Sequence, residues 1–158
     1  MPQKVSMKRY LNPCNDAAFK KIFGTVEHQA CLISFLNSVL ELTGLKEIQT
    51  VKFLDPYQAP LIDGKKISFI DVLCTDQRGI FYIVEMQIME VESFEKRVQY
   101  YASKTYVSQQ NRGEAYPRLN QVLFLAICNY ELFPSVHDKI FSIHLKTQDS
   151  GCISCPPL

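Results

Sequence analysis

The sequence predicts a single α/β domain in which a mixed β-sheet packs against helices. The elements follow the order helix, helix, three strands, helix, two strands, and 158 residues suit one domain with a core. Two β-rich runs are joined by a short polar loop that contains Gly79, a pattern typical of a hairpin. Residues 91–112 lack Pro and Gly, so they can form the crossover helix that parallel strands need.

Two helices are predicted before the first strand. Asn15 or Asp16 can cap the first one, because a short side-chain oxygen accepts the free amide protons of the first turn. Gly24 permits the end of that helix and Gly44 the end of the second. Their apolar residues recur at helical spacing. These are Phe19, Ile22 and Phe23, then Leu32, Phe35, Leu36, Val39 and Leu40.

Strand patterns dominate the middle of the chain. Residues 48–54 alternate weakly, and residues 67–74 and 80–86 form the two arms of the predicted hairpin, with residues 75–79 as its loop. The third helix, over residues 91–112, is expected to end at Gly113. Its predicted buried face consists of Phe94, Val98, Tyr101, Ala102 and Thr105.

The last predicted strands differ in character. Residues 119–128 form a nearly continuous apolar run, which predicts a strand covered on both faces. Residues 140–145 alternate and predict a weaker final strand. We therefore place the domain at residues 1–146 and expect residues 147–158 to form a disordered or aberrant tail, whose sequence is polar and then Pro-rich.

The composition limits the kinds of binding partner that the protein can have. The formal net charge of +1 provides little long-range attraction to nucleic acid, so DNA binding would depend on a local basic face or a bound cation. The longest apolar run, residues 122–128, is far shorter than the roughly 20 residues that span a bilayer, which argues against a membrane partner. Residues 1–10 do not resemble a secretory signal, so a cytoplasmic location is expected.

The cysteines indicate a reduced protein. Cys31, Cys74 and Cys128 lie among apolar residues and are expected to be free and buried. Cys152 and Cys155 form one C-x-x-C pair, but a structural zinc site needs four ligands and no second close pair accompanies them. An incidental reduced pair in the tail is therefore preferred to a zinc or redox site.

The hairpin carries the residues with the most informative chemistry. Glu85 and Gln87 lie two residues apart on one strand, so their side chains point to the same face. Asp71 lies on the partner strand, and two carboxylates in an apolar neighbourhood call for a neutralising partner such as a divalent cation. The alternative is an ordinary half-buried hairpin with its polar residues facing solvent, which the spacing alone favours.

Several short motifs occur together in a recognisable order. The set resembles the Rpn family of recombination-promoting nucleases and transposases, within the PD-(D/E)XK superfamily, over about residues 7–145. The motifs are Asn12-Pro13, Asn15-Asp16, Phe19-Lys20-Lys21-Ile22-Phe23-Gly24, Asp71-Val72-Leu73, Glu85-Met86-Gln87, Arg97, Tyr100-Tyr101 and Gly113-x-x-Tyr116.

The resemblance implies a restriction-endonuclease-like fold and Mg²⁺-dependent hydrolysis of DNA phosphodiesters, with Mn²⁺ as a substitute. Asp71 and Glu85 would hold the metal, with the Met86 carbonyl as a further ligand, and Gln87 would complete the catalytic set. Gln87 occupies the position where the superfamily usually has lysine. The Rpn family is similar to this chain in having glutamine at that position. An amide can orient water but brings no positive charge, so we expect a slower enzyme or greater reliance on the metal.

For several other residues, the sequence is consistent with either a role at the site or an ordinary structural role. Asp16 could approach the metal or serve only as the helix cap. Arg97 and Tyr101, one helical turn apart, could contact a phosphate or support Glu85, although core packing is the simpler role for Tyr101. Lys65 and Lys66 could meet the DNA backbone or lie in a solvated turn. The pair Lys20-Lys21 is interpreted in the same way.

The functional hypotheses come from different classes. The first is an endonuclease linked to recombination or transposon-like mobility, with DNA as partner and self-association into a homo-oligomer left open. The second is a catalytically inactive PD-(D/E)XK domain that binds DNA or protein. Relatives usually continue beyond the nuclease core, so the tail also suggests a truncated or frameshifted copy.

Overall fold

The computed structural model describes residues 15–58, 68–110 and 119–132. These ranges contain three helices and six strands; two helices come first as predicted, but five strands instead of three precede the third helix. They are α1 (Asp16–Phe23), α2 (Gln29–Val39), β1 (Val51–Phe53), β2 (Tyr57–Gln58), β3 (Ser68–Phe69), β4 (Val72–Asp76), β5 (Phe81–Gln87), α3 (Phe94–Ser108) and β6 (Val122–Cys128). Short 3₁₀ turns at Val26–His28 and Gly44–Lys46 flank α2.

Within the described residues, the main sheet has four strands in the order β1-β4-β5-β6. The β1–β4 and β4–β5 pairs are antiparallel, whereas β5 and β6 are parallel. Because parallel neighbours cannot be joined by a tight turn, the chain crosses over through α3. The predicted mixed α/β sheet and its crossover helix are therefore confirmed.

Helices cover both faces of this sheet. Alternate residues of β4 and β5 pack against α1 and α2, and the buried members of this cluster are Phe19, Leu32, Leu36, Leu42, Ile48, Val72, Cys74, Tyr82 and Val84. The opposite face packs against α3 through Ile70, Leu73, Ile83 and Tyr101. The period of two in each strand thus supplies one apolar set to each helical layer.

The β4–β5 hairpin is confirmed, but its turn is shorter than predicted. The strand continues to Asp76 because this buried carboxylate closes the turn: its Oδ1 accepts the backbone N–H groups of Arg78 at 2.8 Å and Ile80 at 3.0 Å. Gly79 has φ +81°, a conformation that favours glycine. The cross-strand pairs run from Thr75 opposite Phe81 to Val72 opposite Val84.

The predicted strand over residues 67–74 is divided in two. Tyr57 of β2 lies opposite Phe69 of β3, so this segment forms a separate two-stranded sheet. The Ile70 N–H then donates to the Pro56 carbonyl at 3.2 Å, and β4 begins at Val72. Asp71 therefore lies just before β4 rather than within a strand, which corrects the sequence-based placement.

The helix ends differ from the sequence pattern in specific ways. Asn15 caps α1 by accepting from the N–H groups of Ala17 and Ala18, so Asp16 is not the cap. Helix α2 ends at Val39, earlier than the end predicted at Gly44, and Glu41 just after it adopts a left-handed conformation (φ +52°). Leu42 N–H closes this end on the Asn37 carbonyl, so the helix stops before the glycine is reached.

Helix α3 begins at Phe94, three residues after the predicted start. Ser93 immediately before it has φ +58°, which is incompatible with a continuous helix through residues 91–93. Of the predicted buried face, Phe94, Tyr101 and Thr105 are buried. Gly113, the predicted helix end, lies outside the described residues.

Two burial predictions need correction. Every residue of β6 is partly exposed, because among the described strands β6 lies at the edge of the sheet. Cys31 is exposed, since it lies one residue before Leu32 and therefore about 100° around α2 from the buried stripe. Cys74 is buried and Cys128 partly buried, and all three are free thiols.

Some predictions fall outside the described residues. These are the strand over residues 140–145, the lysines Lys65 and Lys66, and the tail with Cys152 and Cys155. Within the described parts of the chain, no helix has both the length and the apolar character required to cross a bilayer.

Candidate active site

The open end of the hairpin, opposite its turn, brings two carboxylates together. Antiparallel pairing ends with Val72 opposite Val84, and one further step in each direction reaches Asp71 and Glu85. Glu85 is only 4% exposed, and the Asp71 side chain is 14% exposed. The alternative of solvent-facing hairpin residues is therefore inconsistent with their burial.

Asp71 is fixed by contacts to both sides of the hairpin end. Its Oδ2 accepts the backbone N–H of Met86 at 3.0 Å, which takes the place of a ladder hydrogen bond. Its Oδ1 lies 3.1 Å from the Lys20 Nζ of α1. The carboxylate is thus held between β5 and the last turn of α1.

Glu85 and Gln87 share a face and a common partner. The Arg97 Nη2 donates to Glu85 Oε2 at 3.1 Å and to Gln87 Oε1 at 2.6 Å. Gln87 also donates from Nε2 to the Met86 carbonyl at 3.2 Å. Arg97 lies in the first turn of α3, so this helix delivers one cation to the site while α1 delivers another.

The guanidinium of Arg97 is seated on aromatic rings. Its Cζ lies 4.9 Å from the ring centre of buried Phe94 and 5.9 Å from that of Tyr101, in the range of cation–π contacts. Its Nε is buried and has no hydrogen-bond partner among the described residues. A buried donor without a partner costs free energy, so the position of this N–H is imposed by the packing of the guanidinium on the rings.

The electrostatics of the site are dominated by burial. Burial raises the pKa of Glu85 to about 7, and the negative charge of Asp71 acts in the same direction, whereas Arg97 and Lys20 oppose it. Burial lowers the pKa of Lys20, but its hydrogen bonds and charge interactions with Asp71 and then Asp16 outweigh this effect and raise the pKa overall. Keeping Glu85 ionised in this buried site thus costs free energy, and nearby cations reduce that cost.

Lys20 is the residue that sequence reasoning undervalued. Its Nζ also lies 3.3 Å from Asp16 Oδ2, so Asp16 approaches the site only through this lysine. The Asp16–Lys20 spacing of four residues was visible in the sequence, because such pairs share one helix face. The additional contact with Asp71 depends on how α1 packs against the sheet, which no local pattern specifies.

The remaining residues that the sequence proposed for the site do not all lie in it. Tyr101 is a buried member of the core cluster under α3, and its ring also lies beneath Arg97. Lys65 and Lys66 lie outside the described residues. The structure therefore brings together Asp71, Glu85, Gln87, Arg97 and Lys20.

The donor set suits a hard divalent cation. Two carboxylates and the Met86 carbonyl offer the oxygen ligands that Mg²⁺ prefers, and Mg²⁺ usually keeps several waters as its other ligands. Lys20 and Arg97 each pair with one of these carboxylates, so a bound metal would share or displace these contacts. No group of three His, Cys, Asp or Glu side chains within the described residues is arranged as a metal site, so the backbone carbonyl and water would have to contribute.

Comparison with known proteins identifies the family. The family model of PD-(D/E)XK nuclease family transposases matches residues 13–152, which spans most of the chain and includes every residue of the acidic site. No curated protein matches the chain. No solved structure matches it either. The family match and the mixed sheet with its acidic hairpin agree, and the chain belongs to the PD-(D/E)XK nuclease family of transposases.

Proposed function

We propose that the chain is a divalent-metal-dependent DNA endonuclease that acts in recombination or transposon-like DNA mobility. Asp71 and Glu85 bind the metal, Mg²⁺ or Mn²⁺, with the Met86 carbonyl as a further ligand. When bound, the metal would polarise the scissile phosphate and lower the pKa of a coordinated water. The observation that supports this most strongly is the meeting of the buried Glu85 carboxylate and the partly buried Asp71 carboxylate at one hairpin end, each beside a side-chain cation.

Arg97 positions the reacting groups. One of its N–H groups donates to both Glu85 and Gln87, so it fixes the orientation of these side chains relative to each other. Its side chain is 28% exposed, so the exposed part of the guanidinium can also donate to a phosphate oxygen of the substrate. A guanidinium keeps its charge at any physiological pH, so the contact would persist during turnover.

Lys20 supplies the positive charge that Gln87 lacks. The amide of Gln87 can orient a water molecule through hydrogen bonds but cannot stabilise negative charge as an ammonium does. The Lys20 Nζ, 3.1 Å from Asp71, brings an ammonium to the same carboxylate pair from a different element. Lys20 therefore compensates for the missing lysine on β5, and a Lys20→Met variant should lose most of its activity.

Plasmid nicking tests the proposal. Purified protein is incubated with supercoiled plasmid and Mg²⁺, Mn²⁺ or EDTA, and Asp71→Asn, Glu85→Gln and Lys20→Met are compared with the wild type. We expect metal-dependent nicking that falls by at least about 100-fold in each variant, in line with the loss of a group that stabilises transition-state charge. EDTA should abolish nicking by the wild type.

Two matched control residues lie beside the turn end of the hairpin. Glu47 is exposed, and its carbonyl accepts from the Gln77 side chain at the turn, so Glu47→Gln removes a carboxylate far along the hairpin from the site. Lys52 on β1 is exposed, so Lys52→Met is the matched control for Lys20→Met. Nicking that persists in Asp71→Asn and Glu85→Gln would contradict the assignment of the site.

A catalytically inactive domain that binds DNA or protein is the second candidate. Both oxygens of Asp71 already accept contacts, from the Met86 N–H and the Lys20 ammonium, which is the observation that favours it. Well-folded wild-type protein that neither nicks DNA nor binds Mn²⁺ would establish this candidate in place of the nuclease.

A further inference from the structure

A groove of about 460 Å³ opens beside the acidic site, between α1 and the β2–β3 sheet. Asp71 lines both the groove and the acidic site, so the two are continuous. Its other walls include Lys20, Lys21, Thr25, Pro56 and Phe69. A DNA strand with a phosphate at Asp71 would therefore have its neighbouring nucleotide at or in this groove.

Phe69, which lines the groove, is paired with a second exposed aromatic residue, Tyr57. Phe69 is 66% exposed and Tyr57 is 43% exposed, and they are cross-strand partners with ring centres 5.5 Å apart. The next residue, Ile70, is buried, which anchors the strand and leaves Phe69 on the outer face. Aromatic faces exposed in this way are the platforms on which single-stranded nucleic acids stack their bases.

Charge on the opposite side of the groove matches a DNA backbone. Lys20 and Lys21 follow each other in the last turn of α1, and both line the groove. Because the whole chain has a net charge of only +1, such a local pair is where a phosphate would gain attraction. The groove thus combines an aromatic surface with cations on opposite sides, the arrangement that single-strand binding uses.

We propose that this groove binds an unpaired nucleotide of the DNA substrate, with its base stacked on Phe69 and its phosphate beside Lys21. The inference rests on the proposed nuclease function and adds a substrate class: DNA that has an unpaired segment next to the cleaved phosphate. Bases within a continuous duplex are stacked on each other, so they can reach Phe69 only after they are extruded, which costs free energy.

Binding measured in EDTA tests this inference without cleavage. The probes are a fluorescent oligothymidine of about 12 nucleotides and a duplex of the same length, with affinities from fluorescence anisotropy. We expect the wild type to bind the single strand at least about tenfold more tightly, and Phe69→Ala to lose about tenfold in affinity for it, within the range for one base–aromatic stack. Phe69→Trp should retain the affinity, because it keeps a ring face.

Two further variants separate stacking from folding. Phe69→Leu keeps an apolar side chain but has no ring face, so it should lose affinity as Phe69→Ala does while its melting temperature stays unchanged. Tyr106→Ala removes another exposed aromatic, on α3, and should bind as the wild type does. Unchanged single-strand affinity in folded Phe69→Ala, or equal affinity for single strand and duplex, would overturn the inference.

The two proposals fail in distinguishable ways. If the wild type nicks plasmid in a metal-dependent manner but Phe69→Ala binds DNA normally, the groove assignment is wrong and the nuclease stands. If Phe69-dependent binding is found without nicking, the groove assignment is supported and the nuclease is wrong. Because the binding assay needs no metal, neither result depends on the other.

Discussion

Glu85 is a buried acid whose ionisation the fold opposes. Burial raises its pKa to about 7 in the metal-free protein, whereas glutamate in an unfolded chain titrates near 4.5. The folded protein therefore binds this proton more tightly than the unfolded chain does. The contribution to stability is fully present below about pH 4.5 and is lost as the pH rises through about 7.

The first prediction concerns this pH dependence. In EDTA, the free energy of unfolding of the wild type, relative to that of Glu85→Gln, should fall by up to about 3 kcal/mol between pH 5 and pH 8. Urea titrations at several pH values measure it, and the variant corrects for all other groups that titrate in this window. A difference between the two free energies that stays constant with pH would contradict the raised pKa of Glu85.

Arg97 should be visible through the titration of Glu85. The guanidinium lowers the pKa of this carboxyl, so Arg97→Ala should raise the pKa of Glu85 above about 7. Carboxyl NMR of ¹³C-labelled protein measures the shift. Arg78→Ala is the matched control, because Arg78 pairs with Asp76 at the turn end of the hairpin. An equal shift in both variants would show a general loss of structure instead of a local contact.

The cysteines should differ in reactivity. Burial raises the pKa of the Cys74 thiol to about 12, and the negative charge of Asp76 adds to this effect, so little thiolate forms at neutral pH. Cys31 is exposed on α2. Brief alkylation of the native protein followed by peptide mass spectrometry should modify Cys31 and leave Cys74 intact. Equal modification would mean that the α1–α2 layer does not cover the sheet as described.

At the scale of elements, α1 matters because it carries Lys20 to Asp71. Asn15 supports this helix by accepting from Ala17 N–H at 3.1 Å and Ala18 N–H at 3.3 Å. Asn15→Ala should therefore cost about 1 kcal/mol, or about 3 °C in melting temperature. Asn15→Asp should retain the cap and the stability. Calorimetry distinguishes them, and an unchanged melting temperature in Asn15→Ala would exclude a role for the cap.

The sequence was sufficient for elements whose signals are local. The turn glycine at position 79 and the alternation on either side of it predicted the hairpin, and the uninterrupted stretch before β6 predicted the crossover helix. The helix end expected at Gly44 was wrong because Glu41 adopts the left-handed conformation earlier, closed by a hydrogen bond to Asn37. That choice depends on how α2 meets β1, which a single-sequence pattern does not contain.

At the scale of the whole molecule, each of the two helical layers places one cation at the same end of the sheet. Lys20 comes from the layer on one face and Arg97 from the layer on the other, and both reach the hairpin end. Asp71 and Glu85 lie one step beyond the last antiparallel pair, Val72 opposite Val84, and the predicted hairpin already placed them on partner strands. Both cations depend on the docking of separate helices; Arg97 was expected at the site from the family resemblance, whereas Lys20 was considered only for a contact with the DNA backbone.

Divalent-cation binding tests the central claim, that Asp71 and Glu85 form one metal site, most directly. Mn²⁺ is titrated into the metal-free protein by calorimetry, with the melting temperature followed in parallel, for the wild type, Asp71→Asn, Glu85→Gln and Glu47→Gln. We predict one bound cation that stabilises the wild type and Glu47→Gln, by about 2.7 kcal/mol when the free cation is at 100 times its Kd, and no stabilisation of the other two variants. Binding that survives in Asp71→Asn and Glu85→Gln, or no binding by the folded wild type, would contradict the account.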